Sequence, residues 1–470
     1  MRILSIEDEP AIIKNLRKKL SGLSPNLEII AAKSKSSGVS AIQKKEFDFI
    51  ICDLRIPPHD NSVAVDENHG LAVRAMAKKL CPGTPCLFFT GYATIDNISD
   101  ELSHGEMYDI LGTGKPYPMT RLLTKDKFSQ CIKLLTEFNS ELATLDSINI
   151  DCLGDKVNLD KMEKRALRLL ARPLEGTSVE VQELKGLSGA RTLRINAKNQ
   201  NGQVVASQFA KIGDREKLRK EQERYQRYVE PLLGVGHSPT MGRKIVAGIG
   251  KREALFYQFA DDYPDTLFDV LRVSECDATT VVESLREILK PWTKLSEEKM
   301  LSLHELREER ISKAELSPFL EALGPVEAQE EVEQQVRTSC QHGDLHGFNV
   351  LCNASGGAVV IDFGNVGPAP ACVDPVLLEL SVLFHKESPF RNGSWPTIEQ
   401  TESWFDIEAY LRGCPFPKFI KKCREWASEN GGYSGLPMVV YAEAIRQLKY
   451  ESTDQHRALG IVRAAIRELT

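Results

Sequence analysis

Short apolar runs alternate with amphipathic segments over roughly the first 140 residues of the chain. Four runs have the length and composition of buried strands: residues 3–6, 49–52 and 86–89, and a stretch that begins near Tyr108. After the first run, apolar residues repeat at the spacing of a helix face, at Ile12, Ile13, Leu16 and Leu20. Strands that alternate with helices in this way predict a doubly wound α/β domain with a parallel sheet.

Each predicted strand ends at polar residues whose side chains can take part in chemistry. The four ends carry, in chain order, the carboxylates of Glu7 and Asp8, the carboxylate of Asp53, the hydroxyl of Thr90 and the ammonium of Lys115. The carboxyl ends of parallel strands meet at one edge of a sheet, so we expect these side chains to gather there. A carboxylate accepts a phosphoryl group only where Mg²⁺ and a lysine offset the repulsion between the anions.

This set of strand ends resembles the receiver domain of bacterial response regulators over essentially the whole segment. The resemblance implies a flavodoxin-like fold with a five-stranded parallel sheet, and an upstream sensor histidine kinase as partner. It implies that Asp53 accepts the phosphoryl group and that Glu7, Asp8 and Asp53 hold Mg²⁺ beside it. Thr90 and Lys115 would then contact the phosphoryl oxygens in the modified state.

Two features depart from the usual receiver pattern. The first acidic position is Glu7, where aspartate is commoner, although glutamate is a workable metal ligand with a longer reach. The loop after Asp53 also carries several extra residues over positions 59–69. This insertion either shields the phosphorylation site or docks a partner, or it is a surface loop without a role, and the sequence leaves these alternatives open.

Residues 1–144 are therefore assigned to the receiver domain and residues 145–176 to a linker. The linker contains an amphipathic pattern over residues 157–171, which Pro173 ends. Its apolar side consists of Leu159, Met162, Ala166, Leu169 and Leu170. We expect this helix to pack as a brace on the domain that follows. The alternative is a relay helix, or a helix that pairs two copies of the chain in a homodimer, whose docking responds to phosphorylation of Asp53.

The region after the linker is predicted to form strands joined by tight turns. Residues 179–195 read as two alternating strands around a glycine-containing turn at 186–190, which is either a phosphate-binding loop or a plain hairpin turn. A further strand over residues 204–210 ends at Lys211, and a charged helix over residues 216–228 follows. The strands and the turns predict a second sheet.

The most specific pattern lies further along, where two short apolar runs flank polar residues. Residues 341–351 place Asp344 five residues before Asn349, and Asp362 follows thirteen residues later. The apolar residues around them predict a rigid β-hairpin that holds the three side chains together. Phosphoryl transfer from a nucleotide requires an Asp that orients or deprotonates the attacking group, and hard oxygen ligands for Mg²⁺. The three side chains therefore indicate a kinase site.

The segments that contain these residues, H-G-D-L-H-G-F-N and I-D-F-G, resemble those of the aminoglycoside and choline kinase-like phosphotransferases, which are relatives of protein kinases. The resemblance implies an α+β, two-lobed protein kinase-like fold over residues 177–470, with a small lobe over about 177–260 and a large lobe over about 261–470. It implies a structural role for His342 behind the loop. It also implies that Asp374 caps and braces the helix after the metal-binding loop.

The same resemblance assigns functional roles to individual residues. Asp344 is implied to be the catalytic Asp, and Asn349 and Asp362 to be ligands of Mg²⁺. Lys211 is implied to contact the phosphates of ATP or GTP. Glu221 is implied to be the carboxylate partner of this lysine, with Glu223 as the rival choice.

The composition fits a protein of two or three domains without bulk attraction to nucleic acid. The chain has 470 residues, a hydrophobic content of 42% and a net charge of −6, and it shows no basic helix-turn-helix pattern. Its 11 cysteines form no CxxC pair, which predicts reduced thiols rather than a zinc site. No apolar run approaches the roughly 18 residues of a membrane span. We therefore expect a cytoplasmic protein that binds neither nucleic acid nor a membrane.

Three functions are compatible with these features. In the favoured one, phosphorylation of the receiver controls a kinase-like domain that transfers a nucleotide γ-phosphate to a hydroxyl acceptor. In the second, the kinase-like domain binds nucleotide but is catalytically silent and acts as a regulated interaction module. The third is a transcriptional regulator with an unrecognised DNA surface. The sequence names neither the acceptor, which is a protein or a small molecule, nor the nucleotide. Residues 297–335, predicted to be helical, either shape the acceptor site or form a solvated face.

Overall fold

The computed structural model describes most of the chain. The described residues are 1–22, 27–91, 105–154, 157–184, 190–234, 236–258, 263–319, 321 and 330–469. They divide into two compact units. Unit 1 consists of Met1–Arg219 and Met241–Phe259, and unit 2 consists of Lys220–Thr240 and Ala260–Thr470. The predicted glycine-containing turn lies outside the described residues, except for its last residue, Ala190.

A five-stranded parallel sheet forms the first part of unit 1. Its strands are β1 (Arg2–Ile6), β2 (Glu28–Ala32), β3 (Phe49–Cys52), β4 (Cys86–Thr90) and β7 (Thr120–Thr124), in the order β2-β1-β3-β4-β7. Its described helices are α1 (Pro10–Leu20), α2 (Lys35–Lys44), α3 (Glu67–Leu80) and α4 (Phe128–Asp146), and a small ribbon joins β5 (Met107–Tyr108) to β6 (Tyr117–Pro118). Every residue of β3 and β4 is buried, as in parallel strands covered on both faces. The predicted five-stranded parallel sheet is confirmed.

The last strand of this sheet differs from the prediction, which placed it at the stretch beginning near Tyr108. That stretch enters a turn in which the Asp109 carboxylate accepts a hydrogen bond of 2.8 Å from the backbone N–H of Gly114. Gly114 has a φ of 74°, a left-handed backbone that glycine adopts readily and a strand does not use. The chain therefore turns away here, and the sheet strand is β7. The lysine at its end is Lys125, so the expected position of Lys115 at a strand end was wrong.

A six-stranded sheet forms the rest of unit 1. Its strands are β8 (Asn149–Cys152), β9 (Ser178–Leu184), β10 (Arg191–Lys198), β11 (Val204–Asp214), β12 (Met241–Ile245) and β13 (Arg252–Gln258), in the order β12-β13-β11-β10-β9-β8. All pairs are antiparallel except β8 with β9, which is parallel. The segment predicted as a linker thus contributes an edge strand, β8, to the second sheet.

The amphipathic pattern in the same segment forms α5 (Lys161–Ala171). Its beginning is set by a capping box, in which the Asp160 carboxylate accepts the backbone N–H of Glu163 (3.0 Å) and the Glu163 carboxylate accepts that of Asp160 (2.9 Å). The helix packs against α4 and against β9, β11 and β12. This packing agrees with the expected brace, and it extends to the last helix of the preceding domain.

One hydrophobic core joins the two sheets of unit 1. Its buried members come from both sheets and from α4 and α5, and they include Phe49, Leu87, Leu135, Leu170, Ile195 and Phe256. The backbone before β4 also contacts the backbone before β13. The N–H of Gly248 donates a hydrogen bond of 3.0 Å to the carbonyl oxygen of Pro82. A Cβ at Gly83 would lie 2.1 Å from the nitrogen of Gly248, so only glycine allows this approach. The two sheets therefore share one interior.

Unit 2 contains two small sheets and most of the described helices. Its strands are β14 (Asp265–Thr266), β15 (Glu297–Ser302), β16 (Glu333–Gln341), β17 (Val350–Cys352), β18 (Ala358–Val360) and β19 (Gly367–Pro370), in the orders β14-β17-β18 and β15-β16-β19. Helix α6 (Arg215–Arg224) begins in unit 1, and its last residues, from Lys220 on, belong to unit 2. The helices of unit 2 are α7 (Leu267–Val273), α8 (Glu275–Thr293), α9 (Leu303–Glu308), α10 (Lys313–Leu316), α11 (Val373–Phe384), α12 (Ile398–Glu402), α13 (Ile407–Tyr410), α14 (Pro417–Arg446) and α15 (Gln455–Leu469). The mixed α/β character of this second region agrees with the prediction.

Residues 297–335 are not the continuous helical region that the sequence predicts. They begin as β15, which pairs antiparallel with β16, and the helices α9 and α10 take up only part of their described residues. The Glu- and Lys-rich composition suits an exposed edge strand as well as a helix face, and four residues of β15 are exposed. In the described part of the chain, no helix combines the length and the apolar character needed to cross a membrane.

A buried carboxylate, Asp48, ties the first sheet to α5. Its oxygens lie 2.7 Å from Arg165 Nη1 and 2.8 Å from Lys161 Nζ, and one of them accepts the backbone N–H of Arg2 at 2.7 Å. Burial alone would raise the pKa of Asp48, but the neighbouring cations of Arg165 and Lys161 outweigh it and lower the pKa. Because Arg165 is also buried, each charge depends on the other.

We expect Asp48→Asn to destabilise the chain by about 3 to 5 kcal/mol, because the variant leaves the Arg165 guanidinium buried without its counter-charge. Urea unfolding followed by circular dichroism measures this. A carboxylate with a lowered pKa stabilises above its unfolded pKa, so the difference from the unsubstituted chain should shrink as the pH falls below about 4.

The matched control is Asp146→Asn, whose carboxylate lies 2.8 Å from Arg168 Nη1 but is 39% exposed. An exposed pair of this kind contributes about 1 kcal/mol or less. If the two substitutions lowered the free energy of unfolding equally, the Asp48–Arg165 ion pair would not be the buried interaction that stabilises the contact between the first sheet and α5.

Candidate functional site

Three carboxylates gather at the carboxyl edge of the first sheet. Glu7 and Asp8 follow β1, Asp53 follows β3, and the two strands are paired in register at their last residues, Ile6 and Cys52. Carboxylate oxygens of the three residues lie within 4.8 Å of one another. Glu7 and Asp53 are buried and Asp8 is exposed. A set of oxygen ligands that keeps one side open fits Mg²⁺, which binds few carboxylates and retains waters.

Lys125 supplies the positive charge of this pocket. Its Nζ lies 2.7 Å from an Asp53 oxygen, 3.0 Å from a Glu7 oxygen and 2.9 Å from a Glu9 oxygen. Burial lowers the pKa of this ammonium, but the hydrogen bonds to Asp53 and Glu9 raise the pKa by a larger amount, so the net shift is upwards. Burial raises the pKa of Glu7 to about 7 in spite of the bond from Lys125.

Thr90 ends the neighbouring strand, and its partner in the β4–β7 ladder is Thr124, the residue before Lys125. Thr90 is completely buried. Lys115, by contrast, is exposed in the turn before β6, and its backbone N–H bonds to the Thr113 hydroxyl at 3.3 Å. The structure therefore brings Glu7, Asp8, Asp53 and Lys125 together, and it corrects the prediction of Lys115. The sequence signal that precedes Lys125 is limited to two adjacent apolar residues, Leu122 and Leu123.

The long loop after Asp53 folds back on the amino-terminal end of α2. The Ser34 hydroxyl donates to the Asp60 carboxylate at 2.6 Å, and the N–H of Lys35 donates to the carbonyl oxygen of Pro57 at 2.9 Å. Asp66 closes the loop by accepting the N–H of Asn68 at 2.8 Å, which caps α3. These contacts give the loop a defined path, and whether it shields the site or docks a partner stays a prediction.

A second polar cluster lies in unit 2, between β16 and β18. The side-chain amide of Asn349 donates a hydrogen bond of 3.0 Å to the carbonyl oxygen of Asp344. The carbonyl oxygen of Asn349 in turn accepts the N–H of Ile361, the residue before Asp362, at 3.0 Å. The three predicted site residues thus share one hydrogen-bonded frame. Asp362 has a φ of 69°, a left-handed backbone that is unusual for aspartate.

A buried carboxylate behind this frame holds the loop that contains Asp344. Asp374 accepts the backbone N–H groups of His342 at 2.7 Å and Gly343 at 2.9 Å. Burial raises the pKa of Asp374. His342 bonds to the carbonyl oxygen of Ile361 at 3.0 Å, which agrees with a structural role. The predicted bracing role of Asp374 is confirmed, but its predicted helix cap was wrong, because α11 begins without a side-chain cap and Asp374 bonds to the loop instead.

The predicted nucleotide-binding residues lie in different units. Lys211 is buried on β11 of unit 1, between Thr192 on β10 and Leu255 on β13. Glu221 belongs to unit 2 and is also buried. A Cβ at Gly364 would lie 3.5 Å from an Asp362 oxygen and 3.9 Å from a Glu221 oxygen, so these two carboxylates face the same glycine. Glu223, the rival choice for the carboxylate partner, is exposed.

Sequence reasoning missed a buried carboxylate, Glu253, at the start of α6. It is completely buried on β13 and lies 3.1 Å from Arg215, 3.1 Å from Arg219 and 3.4 Å from Lys244. The cluster fixes the beginning of α6, the helix that Lys211's strand leads into. No sequence signal marks this cluster. Its two arginines lie 34 residues or more before Glu253, and Lys244 lies on a different strand, β12.

Two further groups beside Asp344 were also missed as parts of the site. Arg446, the last residue of α14, places Nη2 3.5 Å from one Asp344 oxygen, and His346 places Nε2 3.9 Å from the other. The rings of His346 and His385 pack against each other with their centres 4.1 Å apart and their planes tilted by 32°. Burial lowers the pKa of each of these histidines to about 3, so both are neutral. Arg446 lies 102 residues from Asp344, a separation at which periodicity carries no signal.

Comparison with protein families agrees with both sites. Residues 3–125 match the model of the response regulator receiver domain, and this match ends at Lys125. Residues 277–392, which include Asp344, Asn349 and Asp362, match the model of the phosphotransferase enzyme family. Residues 3–125 therefore match a response regulator receiver domain and residues 277–392 match the phosphotransferase enzyme family, in agreement with the two resemblances found in the sequence.

Individual proteins are similar to parts of the chain. The transcriptional regulatory protein GlrR of Escherichia coli (strain K12) is 27% identical over 93 residues, which are 20% of this chain and 18% of GlrR. The chain thus spans less than a fifth of the length of the curated relatives that it matches. Choline kinase LicA from Streptococcus pneumoniae is 14% identical and covers 66% of this chain and 99% of its own, with a TM-score of 0.38. A receiver domain of an HD domain-containing protein from Pseudomonas fluorescens Pf-5 is 18% identical and covers 31% of this chain and 91% of its own, with a TM-score of 0.23.

We expect Lys125→Ala to weaken binding of the phosphoryl mimic beryllofluoride to the Mg²⁺-loaded receiver by about ten-fold or more. The reason is that an anion on Asp53 then lacks the charge-assisted bond of the ammonium. Lys115→Ala removes the same charge from the exposed turn and serves as the matched control, with unchanged affinity. Titration calorimetry of the full chain measures both, and a larger loss in Lys115→Ala would restore the original assignment.

Proposed function

We propose that this chain is a two-component signalling protein in which phosphorylation of Asp53 controls a phosphotransferase domain. That domain transfers the γ-phosphoryl group of ATP or GTP to a hydroxyl group of a protein or a small molecule. The observation that carries the proposal is the shared frame of Asp344, Asn349 and Asp362 within a match to the phosphotransferase enzyme family. Their residue types are those that phosphoryl transfer requires.

In the proposed transfer, the oxygen of the acceptor hydroxyl forms a bond to the γ-phosphorus, and the bond from that phosphorus to the β–γ bridging oxygen breaks. Asp344 orients the hydroxyl and takes its proton, and the nucleoside diphosphate leaves. Asn349 and Asp362 hold the metal, which offsets the charge on the phosphate oxygens when bound. Lys211 binds the nucleotide phosphates, and Glu221 is its proposed carboxylate partner.

In the proposed receiver reaction, Asp53 takes the phosphoryl group of a phosphohistidine on a sensor kinase. A new phosphorus–oxygen bond forms to the carboxylate, and the phosphorus–nitrogen bond of the phosphohistidine breaks. Glu7, Asp8 and Asp53 hold Mg²⁺ beside the reacting group. Lys125 already bonds to the Asp53 and Glu7 carboxylates. It then contacts the new phosphoryl oxygens, and Thr90 supplies its hydroxyl.

The interior of unit 1 supports the proposed control of one domain by the other. The core that contains Phe49 and Leu87 of the receiver sheet also contains Ile195 and Phe256 of the second sheet. Asp48 adds an ion pair to Arg165 of α5. Packed interiors shift between discrete arrangements rather than deforming continuously, so a change in the receiver sheet alters the sheet that carries Lys211.

We expect Asp344→Asn and Asp362→Asn each to lower phosphoryl transfer by about 100-fold or more, because the first removes the proton acceptor and the second a metal ligand. Purified chain is incubated with Mg²⁺ and γ-labelled ATP or GTP, against water and against cell extract. A labelled protein band identifies a protein acceptor, and a soluble labelled product identifies a small molecule.

Asp277→Asn, which changes an exposed carboxylate of α8, is the control and should retain full transfer. If the unsubstituted chain bound nucleotide but transferred no phosphoryl group, the alternative function, a nucleotide-binding interaction module, would be favoured. Undiminished transfer by Asp362→Asn would contradict its role as a metal ligand.

We expect beryllofluoride with Mg²⁺ to change the rate of nucleotide turnover by the unsubstituted chain by about three-fold or more, a coupling of 5- to 150-fold being typical of allostery. Asp53→Ala should show no response and should not be labelled by acetyl phosphate. The rate at saturating mimic is the measurement. No change at saturation would rule out control by the receiver, and labelling of Asp53→Ala at another residue would rule out Asp53 as the acceptor.

A further inference from the structure

The loop that contains Asp344 supplies no cation of its own. Residues 341–351 include neither lysine nor arginine. His346 lies beside Asp344, but it is buried and its pKa is lowered to about 3, so it carries no charge near neutral pH. A phosphoryl group in transfer carries negative charge over its oxygens, and the catalytic carboxylate adds more. Such a site requires positive charge that fixes the carboxylate in place.

Arg446 places a guanidinium at this carboxylate. Its Nη2 lies 3.5 Å from Asp344 Oδ1, and its side chain is 20% exposed. Burial lowers the pKa of Arg446, but Glu443 and Asp344 raise it more, so the group stays charged. The charge therefore reaches the site from the end of α14 rather than from the loop.

A buried carboxylate directs this guanidinium. Glu443 is 1% exposed and lies one helical turn before Arg446, with an oxygen 3.4 Å from Arg446 Nη1. Its other oxygen lies 2.5 Å from Arg310 Nε, and Lys449 Nζ donates to the carbonyl oxygen of Arg310 at 3.0 Å. Arg310, Glu443, Arg446 and Asp344 thus form one chain of alternating charges. Each member is held by its neighbours, which restricts the rotamers of Arg446.

We propose that Arg446 is a positioning residue for Asp344 in the phosphotransferase reaction. This inference rests on the proposed function. Arg446 holds the Asp344 carboxylate towards the attacking oxygen while that oxygen bonds to the γ-phosphorus and the bond to the bridging oxygen breaks. The proton of the attacking group passes to Asp344, and Arg446 acts through Asp344 rather than on the nucleotide. Its loss therefore affects the chemical step and not nucleotide binding.

The first test measures turnover of Mg²⁺-ATP or Mg²⁺-GTP with water as acceptor, read as phosphate release. Arg446→Ala should lower kcat by about 10- to 100-fold, because misplacement of a catalytic group by about 1 Å costs that much. The KM for the nucleotide should stay within about two-fold, because Arg446 does not contribute to binding of the nucleotide in the ground state. Arg446→Lys, which keeps the charge but not the planar fork, should recover part of kcat.

A double-mutant cycle tests whether Arg446 acts through Asp344. The kcat of the double variant Asp344→Asn with Arg446→Ala should equal that of Asp344→Asn alone, since the second substitution then has nothing left to misplace. A full further loss in the double variant would show that Arg446 acts elsewhere. An unchanged kcat in Arg446→Ala would overturn the inference directly.

A second measurement needs neither nucleotide nor metal. Urea midpoints of the same three variants and of the unsubstituted chain should be non-additive, because Asp344 and Arg446 interact in the free protein. Additive midpoints would overturn the inference. The control is Arg463→Ala, whose guanidinium pairs with Glu402 at 3.2 Å and is 40% exposed; it should leave kcat unchanged.

The outcomes separate the two proposals. If the unsubstituted chain releases no phosphate to water and labels nothing in cell extract while the midpoints show coupling, the phosphotransferase function fails and the role of Arg446 falls with it. If the unsubstituted chain is active and Arg446→Ala is equally active, only the role of Arg446 fails. Arg446→Gln, which retains a hydrogen-bond donor without charge, replaces the alanine variant if the latter does not fold by circular dichroism.

Discussion

A carboxylate that leaves water must meet a cation or a set of N–H donors, and this requirement organises both candidate sites. Asp53 and Glu7 are held by Lys125, Asp48 by Arg165, and Asp374 by the backbone N–H groups of the loop that contains Asp344. Each of these bonds joins segments that are far apart in sequence. The loops on which chemistry depends are therefore held by charge pairing, while the apolar cores supply most of the stability.

The candidate site in unit 2 was predictable because its signal is local. Asp344, Asn349 and Asp362 lie within nineteen residues, in loops next to short apolar strands that the sequence pattern places. The role of Lys125 was not predictable, because Lys115 and Lys125 both follow the fourth strand, and the choice between them depends on which residues pair with β4. The turn at Asp109 and Gly114 decides that choice through a hydrogen bond from a backbone N–H to the Asp109 carboxylate and through a positive φ, which the apolar pattern does not record.

Contacts between residues far apart in the chain could not be predicted from the sequence for the same reason. Nothing local distinguishes Arg446 from the other arginines of the C-terminal helices, and Glu253 reads as an ordinary strand residue. The fold class followed from pattern and resemblance, whereas the addition of β8 to the second sheet did not. A four-residue run that is mostly polar and exposed gives no strand signal, and it becomes a strand because β9 offers an unpaired edge.

That edge strand has a consequence for how such a protein can arise and be engineered. β8 follows the last receiver helix directly and completes the neighbouring sheet, so the seam between the modules runs through a ladder of hydrogen bonds. Cutting the chain there would remove the edge strand β8 from the second sheet and expose the hydrophobic core that the two sheets share. Modular exchange by simple fusion, the usual way of rewiring sensory proteins, would have to carry β8 and α5 along with the receiver.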